Sequence, residues 1–224
     1  VYSACASFNE SLIILSNLID SKKIKTGLAL TSSHTEVSER QFRYPIEYGS
    51  PRFKRSTMTA TGSVGVFLST NGKIKISKCT IGAAINYGET DVNNMGAVMA
   101  PAAAETLINH LKFFKETSAD YDLILTGDLG RVGSKLFLEV LKKNNLTLEN
   151  YQDAGSLLFR ESDFHNAGSS GPVSLPLVLF GKIIPSKKYK KILLLATGAL
   201  HSQTLVNQHE EIPAISHAVS LEVL

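Results

Sequence analysis

Two apolar runs, Tyr121 to Thr126 (YDLILT) and Lys191 to Thr197 (KILLLAT), constrain this chain more than any other feature. Each has strand length and is followed by turn residues, and neither shows the polar–apolar alternation of a sheet with one wet face. Strands of that kind must be covered on both sides, and the sequence supplies the covering helices. Leu12, Ile13, Leu15, Leu18 and Ile19 recur at helical spacing, and Leu107, Ile108, Leu111 and Phe114 do so in a helix expected from about Pro101 to Glu116, with Pro101 in its first turn. Strands alternating with helices predict an α/β fold with a largely parallel sheet covered on both faces.

The remaining segments fill in that plan. Thr26 to Ser32 (TGLALTS) reads as a buried strand, followed by a polar stretch to Ser56 that is long for a loop inside a compact domain and therefore a binding-site candidate. Gly62 to Ser69 and Lys73 to Ile81 are joined by Thr70, Asn71 and Gly72, the spacing of a hairpin. Gly82 to Gly96 reads as loop. A turn at Gly127 to Gly133 leads into a helix ending at Lys143, then a short strand near Leu157 to Phe159 and a glycine-serine turn at Gly168 to Gly171. An apolar helix to Ile184 and a last strand from Ala214 to Leu224 complete the series.

Composition removes several function classes. With 43% hydrophobic and 19% charged residues in 224, the chain can bury a core and is not disordered. A net charge of +3 is too mild for a nucleic-acid binder, so no nucleic-acid partner is expected. Two cysteines, Cys5 and Cys79, exclude a disulfide scaffold, and the histidines have no metal-ligand spacing, so neither metal nor cofactor is expected. Pro172 to Pro185, the most apolar stretch, is interrupted by Lys182 and falls short of the roughly 20 residues of a membrane span. Val1 to Phe8 lacks the basic start and apolar run of a signal peptide.

Three groupings could carry chemistry. Cys5 lies among small residues (SACAS) directly before a helix, whose N-terminus lowers a thiol's pKa and can bind an anion; a structural, buried thiol is the competing reading. Four of the six arginines, Arg40, Arg43, Arg52 and Arg55, fall in the long polar stretch, where their planar forks suit a carboxylate ligand; pairing with Glu36, Glu39 and Glu47 is the alternative. The turn TGDLGRVG follows a strand, where ligands of α/β folds bind, yet it matches neither common nucleotide-binding loop.

Together these segments resemble the stage V sporulation protein AD family of the thiolase-like superfamily. The resemblance rests on SACAS, Ser32 to Gly49 (SSHTEVSERQFRYPIEYG), Met95 to Leu107 (MGAVMAPAAAETL), Tyr121 to Ser134 (YDLILTGDLGRVGS), LLATGAL and IPAISHAVS. It implies a thiolase-like αβαβα layered sandwich made of two mirrored halves. Residues 1–81 would be the end of the first half and 82–224 the second half, with about 90–100 residues of the first half, three βα units, absent from the sequence.

The resemblance also implies what the site does. Cys5 falls at the elbow that carries the nucleophile in condensing relatives. Where those relatives place a histidine and an asparagine, this sequence has Gly127-Asp128-Leu129-Gly130 and Gly168-Ser169-Ser170-Gly171, which implies a degenerate, non-catalytic site. The implied role is binding of dipicolinic acid or its calcium chelate, with Cys5, His34, Arg40, Arg43, Gly127, Asp128, Arg131 and Ser169 as expected ligand-binding residues. The implied setting is the inner forespore membrane, peripherally, with membrane proteins of the same operon as partners and a homodimer as the expected oligomer. The alternative is an acyltransferase using Cys5, with His34, His201 or His217 as base. A third reading is docking on membrane partners through the Lys187 to Lys191 run.

Overall fold

The computed structural model describes residues 1–42, 53–159 and 167–224, with the side chains of 39–42 left aside. The centre is a five-stranded sheet in the order β4 (Ile74–Ile81), β9 (Ala214–Val223), β8 (Lys191–Ala199), β5 (Leu123–Thr126), β6 (Tyr151–Asp153). The two apolar runs are its inner strands. Leu193 and Leu195 of β8 and Ile124 of β5 face one side, and Ile192, Leu194, Ala196, Leu123 and Leu125 face the other; all are fully or almost fully buried. The sheet is mixed rather than largely parallel: β6, β5 and β8 are parallel, but β9 is antiparallel to both β8 and β4.

One face carries α3 (Met95–Phe114) and α4 (Gly130–Lys143). They touch backbone to backbone, since a Cβ on Gly96 would lie 2.6 Å from the Leu129 carbonyl and one on Gly133 would lie 2.6 Å from the Gly96 Cα. The other face carries α1 (Ser7–Asp20) and α6 (Ser174–Val178), which runs through a π turn, Leu179–Ile183, into α7 (Ile184–Ser186). Phe8 and Phe180 meet edge to face there. Beyond α1 lies a second, two-stranded sheet, β1 (Thr26–Ser33) antiparallel to β3 (Gly62–Ser69). The described residues therefore form a layered α/β arrangement of helices, sheet, helices and sheet.

Several expectations are corrected. The hairpin does not form: β3 pairs with β1 and β4 with β9, because Val66 and Leu68 bury themselves on one side of α1 while Ile74 and Ile76 bury themselves on the other. Through β9, the strand β4 hydrogen-bonds within the five-stranded sheet. β1 is not a buried strand: Leu28 and Leu30 are 56% and 68% exposed and Phe67 opposite is 67% exposed, because α1 covers only one face of this sheet. The polar stretch after it contains a helix, α2 (Thr35–Phe42).

α3 starts at Met95, six residues before Pro101, because the Asn94 side chain caps it by accepting from the Ala97 N–H and Gly96 permits the close contact with α4. α4 likewise starts within the expected turn. The strand expected near Leu157 to Phe159 is instead β6, and Leu157 lies in α5 (Ala154–Leu158), which Asp153 caps. Gly168–Ser170 is a short strand, β7, parallel to β2 (Thr57–Thr59), not a turn.

Candidate functional site

The carboxyl ends of β5 and β8 meet the start of α1 around a cavity of about 220 Å³. Cys5, Asp128 and His201 line it, with a polar wall of Ser56, Thr57 and Thr59 and an apolar side made by Met95 and Met99. A sharp elbow presents Cys5. Ala4 adopts a left-handed φ of +48°, and the Ala6 and Ser7 N–H groups close the turn onto the Ser3 and Ala4 carbonyls. Such backbone strain in a residue with a Cβ costs about 1–2 kcal/mol and persists where surrounding contacts over-determine it. Those contacts include Ser7 Oγ, which donates to the Ala4 carbonyl and accepts from the Ser3 N–H. Gly198 on β8 is the floor: a Cβ there would lie 2.3 Å from the Ser3 carbonyl oxygen.

Asp128 is 1% exposed. Thr197 Oγ1 donates to its Oδ1 at 2.7 Å and the Gly171 N–H to its Oδ2 at 3.1 Å, and the Cys5 thiol is also hydrogen-bonded to it. Burial raises its pKa to about 7 despite those bonds, and the nearby Asp153 charge adds to the rise. Cys5 is raised well above the ordinary thiol value, by burial first and then by the charge and hydrogen bond of Asp128. This reverses the expectation from the helix terminus: burial, joined by a carboxyl in contact, outweighs a partial positive charge of about half a unit.

Asp153, buried behind the site, holds the turn that carries Asp128. It accepts from Thr126 Oγ1, from the N–H groups of Leu129, Gly130 and Ser156, and from Ser156 Oγ, over 2.7 to 3.0 Å. The Gly127 turn was expected to offer its N–H groups to a ligand. Those groups are engaged within the protein, Gly127 with the Leu195 carbonyl, Leu129 and Gly130 with Asp153, and Arg131 with the Ala167 carbonyl.

Of the eight expected ligand-binding residues, Cys5 and Asp128 line the cavity. Gly127 lies behind it, packed near Ala196 and Thr197. Ser169 is fully buried with its hydroxyl donating to Ser174, and its neighbours Ser170 and Gly171 reach the cavity in its place. Arg131 is half-buried in the first turn of α4 and does not line the cavity; His34 is exposed just before α2. The side chain of Arg40 and all of Arg43 lie outside the described residues. Arg55 pairs with Asp91 at 2.8 Å and stacks over Phe53.

Among the candidate bases, only His201 shares the cavity with Cys5, and burial lowers its pKa, so it is neutral at pH 7. His217 is 2% exposed, and its Nδ1 accepts from the Gly82 N–H, which leaves Nε2 to donate to Ser3 Oγ at 3.3 Å. Ser3 Oγ in turn donates to Glu10 at 2.7 Å. That chain fixes one tautomer and ties the elbow to β9. Sequence reasoning missed Thr197, Gly171 and Asp153. The available signal was a polar residue closing each apolar strand, Thr126 after LIL and Thr197 after LLLA.

A family profile described as stage V sporulation protein AD matches residues 1–222. Stage V sporulation protein AD of Bacillus subtilis is 40% identical over 227 residues, 99% of this chain and 67% of that protein. The chain belongs to the stage V sporulation protein AD family. Solved structures of similar fold include 3-oxoacyl-[acyl-carrier-protein] synthase III from Aquifex aeolicus (TM-score 0.61, 16% identity, 99% of this chain and 66% of that one) and from Pseudomonas aeruginosa (TM-score 0.58, 12% identity, 99% and 65%). Cerulenin-bound OleA of Xanthomonas campestris is another (TM-score 0.60, 14% identity, 98% and 64%). At these identities the likeness carries the thiolase-like fold alone, and the chain spans about two thirds of the length of these relatives. Among the described residues of this family member, no helix is long and apolar enough to cross a membrane.

Proposed function

We propose that this family member binds a small aromatic dicarboxylate, dipicolinic acid or its calcium chelate, without transforming it. The observation that carries the reading is the Asp128 carboxyl against the Cys5 thiol. A nucleophilic cysteine needs a partner that takes its proton and steadies the thiolate; here burial disfavours the thiolate and the carboxyl beside it, when ionised, disfavours it further. The cavity supports a small occupant, since about 220 Å³ is below the roughly 300–1,000 Å³ of sites for drug-sized molecules. In its polar wall Ser56 already donates to the Asn93 carbonyl, and the neighbouring Thr57 hydroxyl is the group placed to donate to a carboxylate oxygen. In this reading the protein works in sporulation as a peripheral partner of membrane-spanning proteins that move dipicolinate across the inner forespore membrane, and its release in germination uses the same site.

Titration of the full chain with dipicolinate and with its calcium complex tests this. Saturable binding that weakens on Thr57→Val, in the hydroxyl wall, supports it; no saturation with either form overturns it.

The second reading is acyl transfer from Cys5 with His201 as base, favoured by one observation, the neutral His201 in the same cavity. Incubation with acyl-coenzyme A thioesters followed by mass spectrometry separates the two. An acyl group on Cys5 that is lost in both Cys5→Ser and His201→Gln supports the enzyme, and an unmodified Cys5 supports the binding protein.

A further inference from the structure

We propose that Asp128 makes ligand capture proton-coupled, so that each anionic ligand entering the cavity brings one proton, which the Asp128 carboxyl holds and shares with a ligand carboxylate oxygen. The inference rests on the binding function proposed above and specifies the ionic form of the complex.

The argument starts from the charges around Asp128. On its own turn and helix the nearest ionisable group is Arg131, which does not line the cavity. From the elbow comes the Cys5 thiol, from β8 the neutral Thr197 hydroxyl, and from the turn before α6 the neutral Gly171 N–H. From the β6–α5 junction comes a second carboxylate, Asp153, with the Tyr151 phenol behind it. Across the cavity stand His201 and Tyr2. Among the described residues lining the cavity there is no lysine or arginine.

An anion placed beside an ionised Asp128 would therefore meet a like charge that is itself almost wholly buried, an unfavourable contact that solvent screens little. A proton removes that cost and converts the carboxylate from an acceptor into a donor, the one change that lets it hydrogen-bond a ligand carboxylate. The site is already close to this state, since burial raises the Asp128 carboxyl to about 7. Neutral Thr197 and Gly171 keep the carboxyl aimed in either form, so no rearrangement need accompany the proton. The proton comes from solvent and returns there when the ligand leaves.

The test is calorimetric titration of the full chain with dipicolinate in buffers of different ionisation heat, from about pH 5.5 to about pH 8.5. Dipicolinate's own carboxyl groups are ionised over the neutral and alkaline part of that range, where the uptake is expected, so uptake there reports the protein. The expected result is uptake rising from near zero at the acid end towards one proton per ligand at the alkaline end. The affinity should be flat below about pH 7 and fall about tenfold per pH unit above it. Asp128→Asn, nearly isosteric, should bind without uptake and with a flat profile, whereas His201→Gln should retain both slope and uptake. Saturable binding by the unaltered protein with no slope and no uptake overturns the inference and leaves the binding function standing. Loss of the slope in His201→Gln but not in Asp128→Asn also overturns it. Absence of saturable binding at every pH overturns both. The profile of the unaltered protein decides the matter even where a variant fails to fold.

Discussion

The Asp128 carboxyl lies against the Cys5 thiol, with Thr197 and Gly171 bonded to its two oxygens. Two elements far apart in sequence, the elbow before α1 and the turn after β5, meet there, and each alters the ionisation of the other. Burial raises both groups, and the contact raises Cys5 further while its hydrogen bond restrains the rise of Asp128.

Asp128→Asn should therefore make Cys5 more reactive. The amide removes the charge but keeps the shape, so the thiol pKa falls, and each unit of fall gives about ten times more thiolate at a pH below it. Alkylation of Cys5 at about pH 8.5, followed by peptide mass spectrometry to separate it from Cys79, should run at least about fivefold faster than in the unaltered protein. An unchanged rate would mean that burial alone sets the thiol.

Gly198→Ala should damage the elbow. Its Cβ would fall 2.3 Å from the Ser3 carbonyl, a backbone atom that can move only by displacing Ala4 from its strained conformation. We expect a loss of about 1–3 kcal/mol in denaturant unfolding, with altered Cys5 alkylation. Gly181→Ala, where nothing lies within 4 Å, is the control and should be neutral or slightly stabilising. Equal effects of the two would show that the elbow does not depend on the close approach.

The centre of the fold was legible in the sequence because β5 and β8 are buried on both faces and say so in an unbroken apolar code. β1 and β3 were harder. Their spacing to neighbours fits a hairpin and a buried strand equally well, and only the placement of α1 between two sheets decides which strand pairs with which. Asp128 and Cys5 were legible as residue types at a turn and a helix start. Their contact was not, because the thiol's environment depends on Thr197, Gly171 and Asp153, which come from three other segments. The positive φ of Ala4 has no sequence signal at all, since alanine ordinarily avoids it.

Glu116 should govern acid stability. Lys78 and Lys191 donate to its Oε1 at 2.6 and 2.8 Å and the Tyr121 hydroxyl to its Oε2 at 2.6 Å. Burial alone would raise its pKa, but these three bonds outweigh it and bring the group down to about 2. A carboxylate depressed in the folded state contributes stability that is complete above its unfolded value and is lost as pH falls towards its folded one. Unfolding free energy should therefore drop by roughly 2 kcal/mol between about pH 5 and pH 2, after allowing for the partly exposed lysines. Glu116→Gln should remove most of that slope. Burial lowers His110 to about 4, with Nε2 donating to Tyr121, so between about pH 6.5 and pH 4 it contributes a loss of stability of its own, and the fall from about pH 4 to pH 2 is the part that reports Glu116. An unchanged slope in the variant would locate the acid sensitivity elsewhere.

Asp153→Asn joins the stability of the site to its ionisation. The carboxylate accepts five hydrogen bonds, including those of the first N–H groups of α4 and α5, and an amide must turn an NH₂ towards some of these donors. Facing donors with a donor in a buried site costs about 2–4 kcal/mol, so the unfolding midpoint should fall clearly. The same substitution removes the like charge that helps to raise Asp128, so Asp128 should titrate at lower pH than in the unaltered protein. Cys5 reports that shift, because its alkylation rate responds to the charge beside it. A less stable protein whose Asp128 titration moves down would establish Asp153 as both the clamp on the turn and a source of Asp128's raised pKa. A fall in stability with an unmoved titration would leave Asp153 a clamp only and assign the rise at Asp128 wholly to burial.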